Sequence, residues 1–574
     1  MPDLDLVLLH APSVYDFRER PALYGPISDV VPSTPVFEMY PIGFVSIVGY
    51  LERNGYHARI INLAVKMLRD PEFDVERLIS RLDTGIFGLD LHWLPHAAGS
   101  LDVAALIKEH HPETPVLLGG LSASYYHEEI IRDYPQIDYI LRGDTVEKPL
   151  LDLVERLERD RSVEGVENLT WRESGRRKMN PLSYAPEDID DFWLDYEEVI
   201  RLVVRHRDLE STLPYEDFMS YPFTCLITCK GCTYNCITCG GSCHAFRNSF
   251  GRKRPAFKSP GRLVEEMSVI SDYFKAPIFL IGDLRQGGAG WAEEVLRGMR
   301  EEDIDNTVSF ELFDAASRDH LENLAGSAAS WTIEISPETH EDRLRGIMGK
   351  PYTTDQMEKT LESALDLECS KAAVYFMVGL SGQTRESALQ SVEYARRLYG
   401  RLDQGERLFT FIAPMAPFLD PGSIVFEDPG QYGFTRLYTT LGEHREALRE
   451  PSWKHYLSYY TDWMSRDEIV DTTYDAMIGM NELKGEVGVT DPRSSEQIVA
   501  GLRLSKGIMG RIDGIIASTN DPAERKELYG QLRAEIEDAK RSMGLAKREL
   551  RMPGSSGIRV RGALGYLLKR WEKK

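Results

Sequence analysis

Six of the seven cysteines of the chain lie in one short stretch, TCLITCKGCTYNCITCGGSC. The spacing C-x3-C-x2-C occurs there twice, once at Cys225, Cys229 and Cys232, and once at Cys232, Cys236 and Cys239. Thiolates spaced this closely hold either a zinc ion or an iron–sulfur cluster. The stretch is therefore the first place at which this chain could do chemistry.

The two sets of cysteines differ in where they place the first ligand. Cys225 lies within the predicted strand FTCLIT, where a buried side chain leaves no room for a cluster. Cys232, Cys236 and Cys239 follow that strand, in a loop that ends with a pair of glycines. The second set is therefore favoured.

Zinc and an iron–sulfur cluster place different demands on the spacing. Zinc would take Cys229 and Cys232 together with Cys236 and Cys239, but only three residues separate these pairs. Zinc sites of this type separate their pairs by about a dozen residues or more. Three thiolates suit the tight loop and leave one iron open, as a catalytic cluster requires. We therefore expect an iron–sulfur cluster, and the sequence leaves the roles of Cys229 and Cys243 open.

The cysteine loop belongs to a series of alternating strands and helices. We predict its strands at 223–228, 277–282, 308–313, 331–336, 372–380 and 408–414. Six such units fall short of the eight of a closed barrel. Residues 216–430 are therefore expected to form a partial barrel with its chemistry at the carboxyl ends of the strands.

An earlier series of strands and helices occupies residues 1–160. Apolar runs predict strands at 4–12, 58–64, 85–91, 115–120 and 139–144. Buried strands with crossover helices predict an α/β fold with a doubly wound, Rossmann-like parallel sheet, which binds ligands at the carboxyl edge of its strands. Residues 161–215 are charged and irregular and are predicted to be a linker. Residues 431–574 are predicted to form a helical C-terminal domain with a basic tail.

Charge and hydropathy bound the partners. The chain of 574 residues has a net charge of −23, which argues against nucleic-acid binding. The N-terminus lacks the basic start of a signal peptide and no apolar run is long enough to span a membrane, so we expect a cytoplasmic protein. The segment Lys540–Lys574 is basic, with eleven Lys/Arg and two acids. We favour a terminal helix docked on its own protein, and peripheral contact with an anionic membrane is the alternative.

The loop GCTYNCITCGG resembles the C-x3-C-x2-C loop of radical S-adenosylmethionine (SAM) enzymes, with Thr238 where those enzymes often have an aromatic residue. The resemblance implies a [4Fe-4S] cluster on Cys232, Cys236 and Cys239, whose open iron is chelated by SAM. It also implies catalysis through a 5′-deoxyadenosyl radical.

Further short motifs resemble the SAM-binding motifs of that family. They occur in the expected order behind the cysteine loop, as IGD (281–283), EIS (334–336) and VGLSGQT (378–384), and they would contact the amino group, the ribose and the adenine of SAM. The resemblance thus implies SAM contacts at Gly240, Gly241, Gly282, Asp283, Glu334, Ser336 and Gly379.

The N-terminal segments PIGFVSIVGYLERNGYHARIIN, VLLGGLSAS and YILRGDTVEKPL resemble the cobalamin-binding domain that precedes many radical SAM barrels. The loop after the first strand lacks D-x-H-x-x-G, the motif whose histidine often binds cobalt. Asp90-x-His92 follows the third strand instead and only mimics that motif. By resemblance, His92 or Trp93 would face the lower side of the cobalt, and simple packing against the corrin or the core is the alternative.

Two further loops complete the cobalamin prediction. By resemblance, Gly119 and Gly120 would admit the nucleotide tail, and Ser122 and Ser124 would donate hydrogen bonds to it. Gly143 and Asp144 would close the opposite wall.

The resemblance implies a cobalamin-dependent radical SAM methyltransferase. It would methylate an unactivated carbon of a small-molecule or lipid substrate, with an electron donor such as flavodoxin or ferredoxin. Substrate selection would fall to the loop 413–423 or to the aromatic segment 453–463, although aromatic residues at helical spacing more often form a core. One alternative uses the same cofactors for ring closure or carbon–carbon bond formation. Another is a non-catalytic module that binds cobalamin or zinc.

Overall fold

The computed structural model describes residues 3–540 apart from 21, 24, 26–32, 35, 160, 303, 403 and 404, together with 549, 551 and 557–559. Two sheets dominate this part of the chain. One lies in the N-terminal third and the other in the middle third, as the two series of apolar runs predict.

The N-terminal sheet has seven strands in the order β2-β1-β3-β4-β5-β6-β7. The first five are parallel and confirm the predicted doubly wound α/β arrangement. The strands are β1 (Leu4–His10), β2 (Ala58–Asn62), β3 (Thr84–Asp90), β4 (Val116–Gly119), β5 (Tyr139–Leu141), β6 (Leu169–Glu173) and β7 (Arg176–Met179).

Helices cover this sheet, and the central strands are consequently almost wholly buried. In both β1 and β3 all but one residue is buried, which explains their continuous apolar sequences. The helices are α1 (Gly43–Arg53), α2 (Leu63–Arg69), α3 (Val75–Ile79), α4 (Ala97–His110), α5 (Leu121–Tyr125), α6 (His127–Asp133) and α7 (Glu147–Glu158).

The stretch 161–215, predicted as a linker, is more structured than its charge indicates. It supplies β6 and β7, which extend the sheet in antiparallel fashion, and then α8 (Tyr196–His206). The sequence of β7, RRKM, is polar because this strand lies at the edge of the sheet.

The second sheet has six parallel strands in a simple sequential order and forms the predicted partial barrel. Short two-residue strands accompany it. The strands of this region are β8 (Thr224–Ile227), β9 (Cys229–Lys230), β10 (Ala256–Phe257), β11 (Phe274–Lys275), β12 (Ile278–Ile281), β13 (Thr307–Leu312), β14 (Ser330–Glu338), β15 (Lys371–Val378) and β16 (Leu408–Pro414).

Seven helices alternate with the barrel strands. They are α9 (Cys243–Ser249), α10 (Pro260–Tyr273), α11 (Ala289–Glu301), α12 (Arg318–Ala325), α13 (Asp342–Met348), α14 (Thr354–Asp366) and α15 (Arg385–Leu402).

The C-terminal region is mainly helical, as predicted. Its helices are α16 (Ile424–Glu427), α17 (Leu441–Ala447), α18 (Trp453–Tyr456), α19 (Arg466–Glu486), α20 (Pro492–Ser518), α21 (Pro522–Gln531) and α22 (Arg533–Lys540). Two small ribbons are also present, β17 (Phe434–Arg436) with β18 (Tyr459–Thr461), and β19 (Gly557–Ile558) with β11. Ser465 and Glu468 form a capping box at the start of α19.

The C-terminal region also contacts the N-terminal sheet domain. Arg445 and Arg449 donate to Asp102 Oδ1 at 2.7 and 2.8 Å, which connects α17 to α4. In the described part of the chain, we find no helix with the length and hydropathy needed to cross a membrane. The basic tail predicted from Lys540 onward falls mostly outside the described residues.

Candidate active site

The cysteine loop follows β8 at the carboxyl end of the barrel. The Cys232 thiol lies 3.3 Å from Gln286 Oε1, and its sulfur accepts from the Tyr234 N–H at 3.3 Å. The Cys239 sulfur accepts from the Gly241 N–H, also at 3.3 Å. These bonds orient two of the three predicted ligands within the loop.

Burial disfavours the charged, thiolate form of the three predicted ligands. Burial, together with the neighbouring thiols, raises the pKa of Cys232 to about 11 and also raises that of Cys239. Burial likewise raises the pKa of Cys236. A positively charged metal group would reverse this penalty because only the thiolate binds metal.

The other cysteines of the stretch have different settings. Cys225 lies within β8, as predicted. The Cys229 thiol donates to the Gly231 carbonyl at 3.4 Å, and Cys243 begins α9. The loop between β9 and α9 therefore contains only Cys232, Cys236 and Cys239, which is the set favoured by its position after the strand.

A large, mainly apolar cavity of about 750 Å³ lies between the carboxyl edge of the N-terminal sheet and the barrel. Both domains line it. From the sheet domain come Asp90, His92, Trp93, Gly119, Gly120, Gly143 and Asp144, and from the barrel come Ile227, Cys229, Lys230 and Gly231. The cavity therefore extends to the start of the cysteine loop.

Glycines shape the floor of this cavity. Gly120 has φ +110°, and a Cβ there would lie 2.6 Å from the backbone of His92. A Cβ at Gly119 would meet nothing within 4 Å. The space in front of Gly119 and the apolar lining fit a large, flat cofactor.

Comparisons with known protein families decide what the two domains are. The model of the B12 binding domain matches residues 29–149, and the model of the radical SAM superfamily matches residues 226–395. The chain carries a B12-binding domain followed by a radical SAM domain. The cavity lies between these two domains, and the cysteine loop belongs to the radical SAM domain.

Curated relatives match the chain at low identity. An uncharacterized methyltransferase of Pyrococcus horikoshii is 22% identical over 328 residues, which cover 57% of this chain and 67% of the relative. The anaerobic magnesium-protoporphyrin IX monomethyl ester cyclase of Rubrivivax gelatinosus is 22% identical over 368 residues, 62% of each chain. The matches thus span about two thirds of the length of these relatives.

Solved structures share the fold. TsrM from Kitasatospora setae, a radical SAM methyltransferase solved with cobalamin and a [4Fe-4S] cluster, superposes with a TM-score of 0.55 at 13% identity, covering 94% of this chain and 99% of TsrM. OxsB, a cobalamin-dependent radical SAM enzyme, gives 0.52 at 15% identity, covering 94% of this chain and 72% of OxsB. The order of B12-binding domain, barrel and C-terminal region is therefore an arrangement already seen in experimental structures.

The predicted SAM motifs lie on the barrel strands near the cysteine loop. Gly282 has φ +101° and its N–H donates to Glu311 Oε2 at 2.7 Å. The carboxylate of Asp283 accepts from the backbone and side chain of Arg285 and from the Phe313 N–H. Asp283 thus holds the turn together rather than offering a free carboxylate.

The later motifs occupy the next strands. Glu334 and Ser336 lie on β14, and Gly379 follows β15 with φ +98°. The Gly379 N–H donates to Gln383 Oε1 at 2.9 Å, and a Cβ at Gly379 would lie 2.7 Å from the Tyr459 hydroxyl. No side chain can be accommodated at this glycine without displacing Tyr459.

The sequence did not predict the charged residues that surround the cysteine loop. Asp420 Oδ2 accepts from the Gly240 N–H at 2.9 Å and lies beside Cys239. Burial raises the pKa of Asp420 to about 6 and that of Glu311 to about 7. Asp420 lies in the loop 413–423, for which the sequence predicts a role in substrate selection instead.

A buried cation lies on the other side of the loop. The Lys350 ammonium is 3.5 Å from Glu338 Oε1. Burial alone would lower the pKa of Lys350, but Glu338 and the thiols of Cys236 and Cys239 raise it. The charge of Lys350 in turn lowers the pKa of Cys236 and so favours the thiolate form of this predicted ligand. Lys350 carries no sequence motif that would have identified it.

The predicted cobalamin contacts divide into two groups. His92, Trp93 and the glycines line the cavity. Ser122 and Ser124 instead donate to the carbonyls of His92 and Gly120, at 3.1 and 2.8 Å. Both serines therefore hold loops together, and their role toward a nucleotide tail stays a prediction.

Asp144 connects the two domains. Its carboxylate pairs with the Arg252 guanidinium, which also donates to the Pro186 carbonyl at 2.7 Å. Both side chains of this ion pair are almost fully buried. A buried and well-bonded pair of this kind fixes the B12-binding domain against the radical SAM domain beside the cavity, which Asp144 also lines.

Proposed function

We propose that the protein is a cobalamin-dependent radical SAM methyltransferase that acts on an unactivated carbon of a small-molecule or lipid substrate. One observation carries the proposal: Cys229, Lys230 and Gly231 line the cavity of the B12-binding domain, and Cys232 is the next residue. The cavity and the cysteine loop are thus two parts of one site. This is the arrangement that a methyl carrier and a radical-generating cluster need in order to act on one substrate.

The residues present fit the cofactors of this proposal. Cys232, Cys236 and Cys239 would hold a [4Fe-4S] cluster, and the glycine floor of the cavity would hold cobalamin. When bound, the cluster supplies the electron that cleaves SAM, and cobalamin supplies the methyl group.

The chain itself would bind, orient and exclude solvent. Asp420 fixes the Gly240 backbone next to Cys239, and Lys350 offsets the charge of the thiolates. The apolar lining of the cavity keeps water from a reactive centre. The Asp144–Arg252 pair holds the two halves of the site at a constant separation.

The aromatic segment 453–463 was one of two candidates for substrate selection. In the aromatic segment 453–463, Trp453, Tyr456 and Tyr459 are buried, so these three belong to the core. Trp463 is 42% exposed. A small-molecule or lipid substrate, a flavodoxin or ferredoxin as electron donor, and a cytoplasmic location remain parts of the proposal.

Ring closure or carbon–carbon bond formation is the second candidate. It is favoured by the similarity to the cyclase of Rubrivivax gelatinosus, which is as close in identity as the methyltransferase relative. The two candidates use the same cofactors and differ in product mass, because only methyl transfer adds a methyl group.

Anaerobic turnover tests the proposal. The protein is purified with cobalamin, reconstituted with iron and sulfide, and mixed with SAM and a strong reductant. We expect both 5′-deoxyadenosine and S-adenosylhomocysteine. Alanine variants of Cys232, Cys236 and Cys239 should form neither, whereas Cys243→Ala, a matched control from the same stretch, should form both.

Each other outcome has a defined meaning. 5′-Deoxyadenosine without S-adenosylhomocysteine would favour the ring-forming candidate. Neither product, together with zinc instead of iron in the protein, would favour the non-catalytic module. Full activity in Cys236→Ala would contradict the assignment of the cluster ligands.

A further inference from the structure

Three buried side chains meet beneath the floor of the cavity, and neither methyl transfer nor ring closure uses them. His10 ends β1, Asp90 ends β3, and His96 lies in the 3-10 turn Leu94–His96 ahead of α4. Their exposed fractions are 0, 3 and 2%. One nitrogen of each ring and a carboxylate oxygen of Asp90 lie within 4.8 Å of one another.

Both histidines are oriented by the same backbone group. His10 Nε2 and His96 Nε2 lie 3.0 and 2.9 Å from the Phe37 carbonyl oxygen. A carbonyl only accepts, so both Nε2 atoms carry hydrogen, and both rings turn Nδ1 toward Asp90. Phe37 adopts φ +54°, a conformation that costs free energy for a non-glycine residue.

This orientation is typical of histidines that bind metal. Such a histidine donates its second ring N–H to a backbone carbonyl or carboxylate, which fixes the ring and its tautomer. Here one carbonyl does this for two rings at once. The strained conformation at Phe37 is explained if the carbonyl must reach both.

Two of the atoms that face the centre of this group lack a hydrogen-bond partner in the described part of the chain. His10 Nδ1 lies 2.8 Å from Asp90 Oδ1. Asp90 Oδ2 and His96 Nδ1 face each other at 4.0 Å, and within the described ranges neither atom has a hydrogen-bond partner. In the neutral ring His96 Nδ1 presents a lone pair, so two electron-pair donors point at one buried space. Such an arrangement is costly unless something positive or a donor lies between them.

We propose that His10, Asp90 and His96 form a binding site for a divalent transition-metal ion, with Zn²⁺ as the simplest case. Two imidazole nitrogens and one carboxylate oxygen are ligands that this class of ion accepts. Asp90 and His96 also line the cavity, so a fourth position of the ion would face it. On binding, His10 Nδ1 gives up the proton that it shares with Asp90.

The ion would have a structural role and would stabilise the segments beneath the cavity. It would join the end of β1, the loop after β3 and, through Phe37, the segment before α1. These are the segments that carry His92 and Trp93 to the cavity. The inference depends only on the three side chains and does not require cluster or cobalamin.

A water molecule is the competing occupant, because it could bridge Asp90 Oδ2 and His96 Nδ1. Zinc bound to the cysteine loop is the main source of error in a test. X-ray absorption at the zinc edge separates zinc held by the three side chains from zinc held by cysteines, since nitrogen and oxygen ligands lie at about 2.0 Å and sulfur at about 2.3 Å from zinc. If water occupies the site, the washed protein contains no zinc there.

The test uses the full chain with its cluster reconstituted and no cobalamin added. The protein is equilibrated with Zn²⁺, washed with a chelator and measured for zinc content and zinc-edge absorption. We expect one zinc per chain with nitrogen and oxygen ligands only. His96→Ala, Asp90→Asn and the bulkier His96→Gln should lose it.

His111→Ala is the matched control. His111 Nε2 lies 2.8 Å from the Ile79 carbonyl in the same domain, but His111 does not belong to the group of three. Its zinc content should equal that of the parent protein. Absence of zinc from the washed parent protein, a sulfur-containing shell, or equal zinc in a folded His96→Gln protein would overturn the proposal. The parent measurement decides the matter even if every variant of the group unfolds.

Discussion

The cysteine loop and the floor of the B12-binding cavity are adjacent, yet they are built in opposite ways. The three predicted ligands of the loop lie within eight consecutive residues, Cys232 to Cys239, and the backbone around them determines their positions. The floor is assembled from Asp90, Gly120 and Gly143, which come together only when the sheet forms. A site formed by consecutive residues can be recognised from the sequence, whereas a site assembled by the fold from distant residues cannot.

The difference also extends to what each region tolerates. The loop depends on side-chain chemistry, so replacing a thiol removes a ligand without disturbing the sheet. The floor depends on backbone geometry, so replacing Gly120 disturbs the loop that carries His92. Four predictions test this contrast, from the largest expected effect to the smallest.

The pair Gly120→Ala and Gly119→Ala separates backbone strain from cofactor contact. At Gly120 the positive φ and the 2.6 Å approach to His92 should destabilise the protein by at least about 2 kcal/mol. Gly119→Ala meets nothing in the protein and should leave the thermal unfolding temperature unchanged, but reduce the cobalamin retained after gel filtration. Unchanged cobalamin in Gly119→Ala would place the cofactor elsewhere.

Glu38, the neighbour of Phe37 in the B12-binding domain, gives the stability of the protein a pH dependence. The carboxylate accepts from the Thr34 N–H at 2.9 Å, and burial raises its pKa to about 7 from 4.5. The folded state therefore holds the proton more tightly than the unfolded state, so stability is lost as pH rises from about 4.5 to 7. The loss is about 3 kcal/mol at most.

Glu38→Gln should remove that dependence. The thermal unfolding temperature of the variant should fall less between pH 5 and pH 8 than that of the parent. Thr34→Val, which removes a bond to Glu38 but keeps the carboxyl, should retain the slope. Identical slopes in parent and Glu38→Gln proteins would show that Glu38 does not titrate in this range.

Asp420 tests how the loop is supported. Asp420→Asn keeps an oxygen for the Gly240 N–H but removes a negative charge beside Cys239. A negative charge near the cluster opposes its reduction, and the variant lacks that charge. The midpoint potential of the reconstituted cluster should therefore rise, on the order of tens of millivolts. Asp420→Ala should also lower iron content, since the bond is lost. A potential unchanged in both variants would remove Asp420 from the support of the cluster.

Ser124→Ala should have the smallest effect. Its hydroxyl donates to Gly120 and accepts from the Gly143 N–H at 3.0 Å, so the change should cost about 1 kcal/mol of stability. Cobalamin retention should fall little, because Ser124 does not line the cavity. A large loss of cobalamin at normal stability would restore the predicted contact with the nucleotide tail.

The fold was predictable where burial forces a simple pattern. The buried strands β1 and β3 read as apolar runs, and so do the six barrel strands. The edge strand β7 did not, because a polar strand with one partner carries no such pattern. Because the stretch 161–215 is rich in charged residues, its strands β6 and β7 were predicted to be part of a linker.

The candidate site was predictable to the same extent. Cys232, Cys236 and Cys239 follow from spacing and from their place after a strand. The contacts of Asp420 and Lys350 could not be foreseen, because each depends on a loop returning to the cysteines from a distant part of the chain. The meeting of His10 with His96 depends in the same way on the register of β1 and β3.

The central claim is that the cysteine loop and the cavity form one site. Electron paramagnetic resonance of cob(II)alamin in the reconstituted protein tests it most directly, because a nearby reduced cluster broadens or splits the cobalt signal. We predict that reducing the cluster changes the signal in the parent protein and in Cys243→Ala, but not in Cys232→Ala. A cobalt signal indifferent to the cluster in the parent protein would contradict the account.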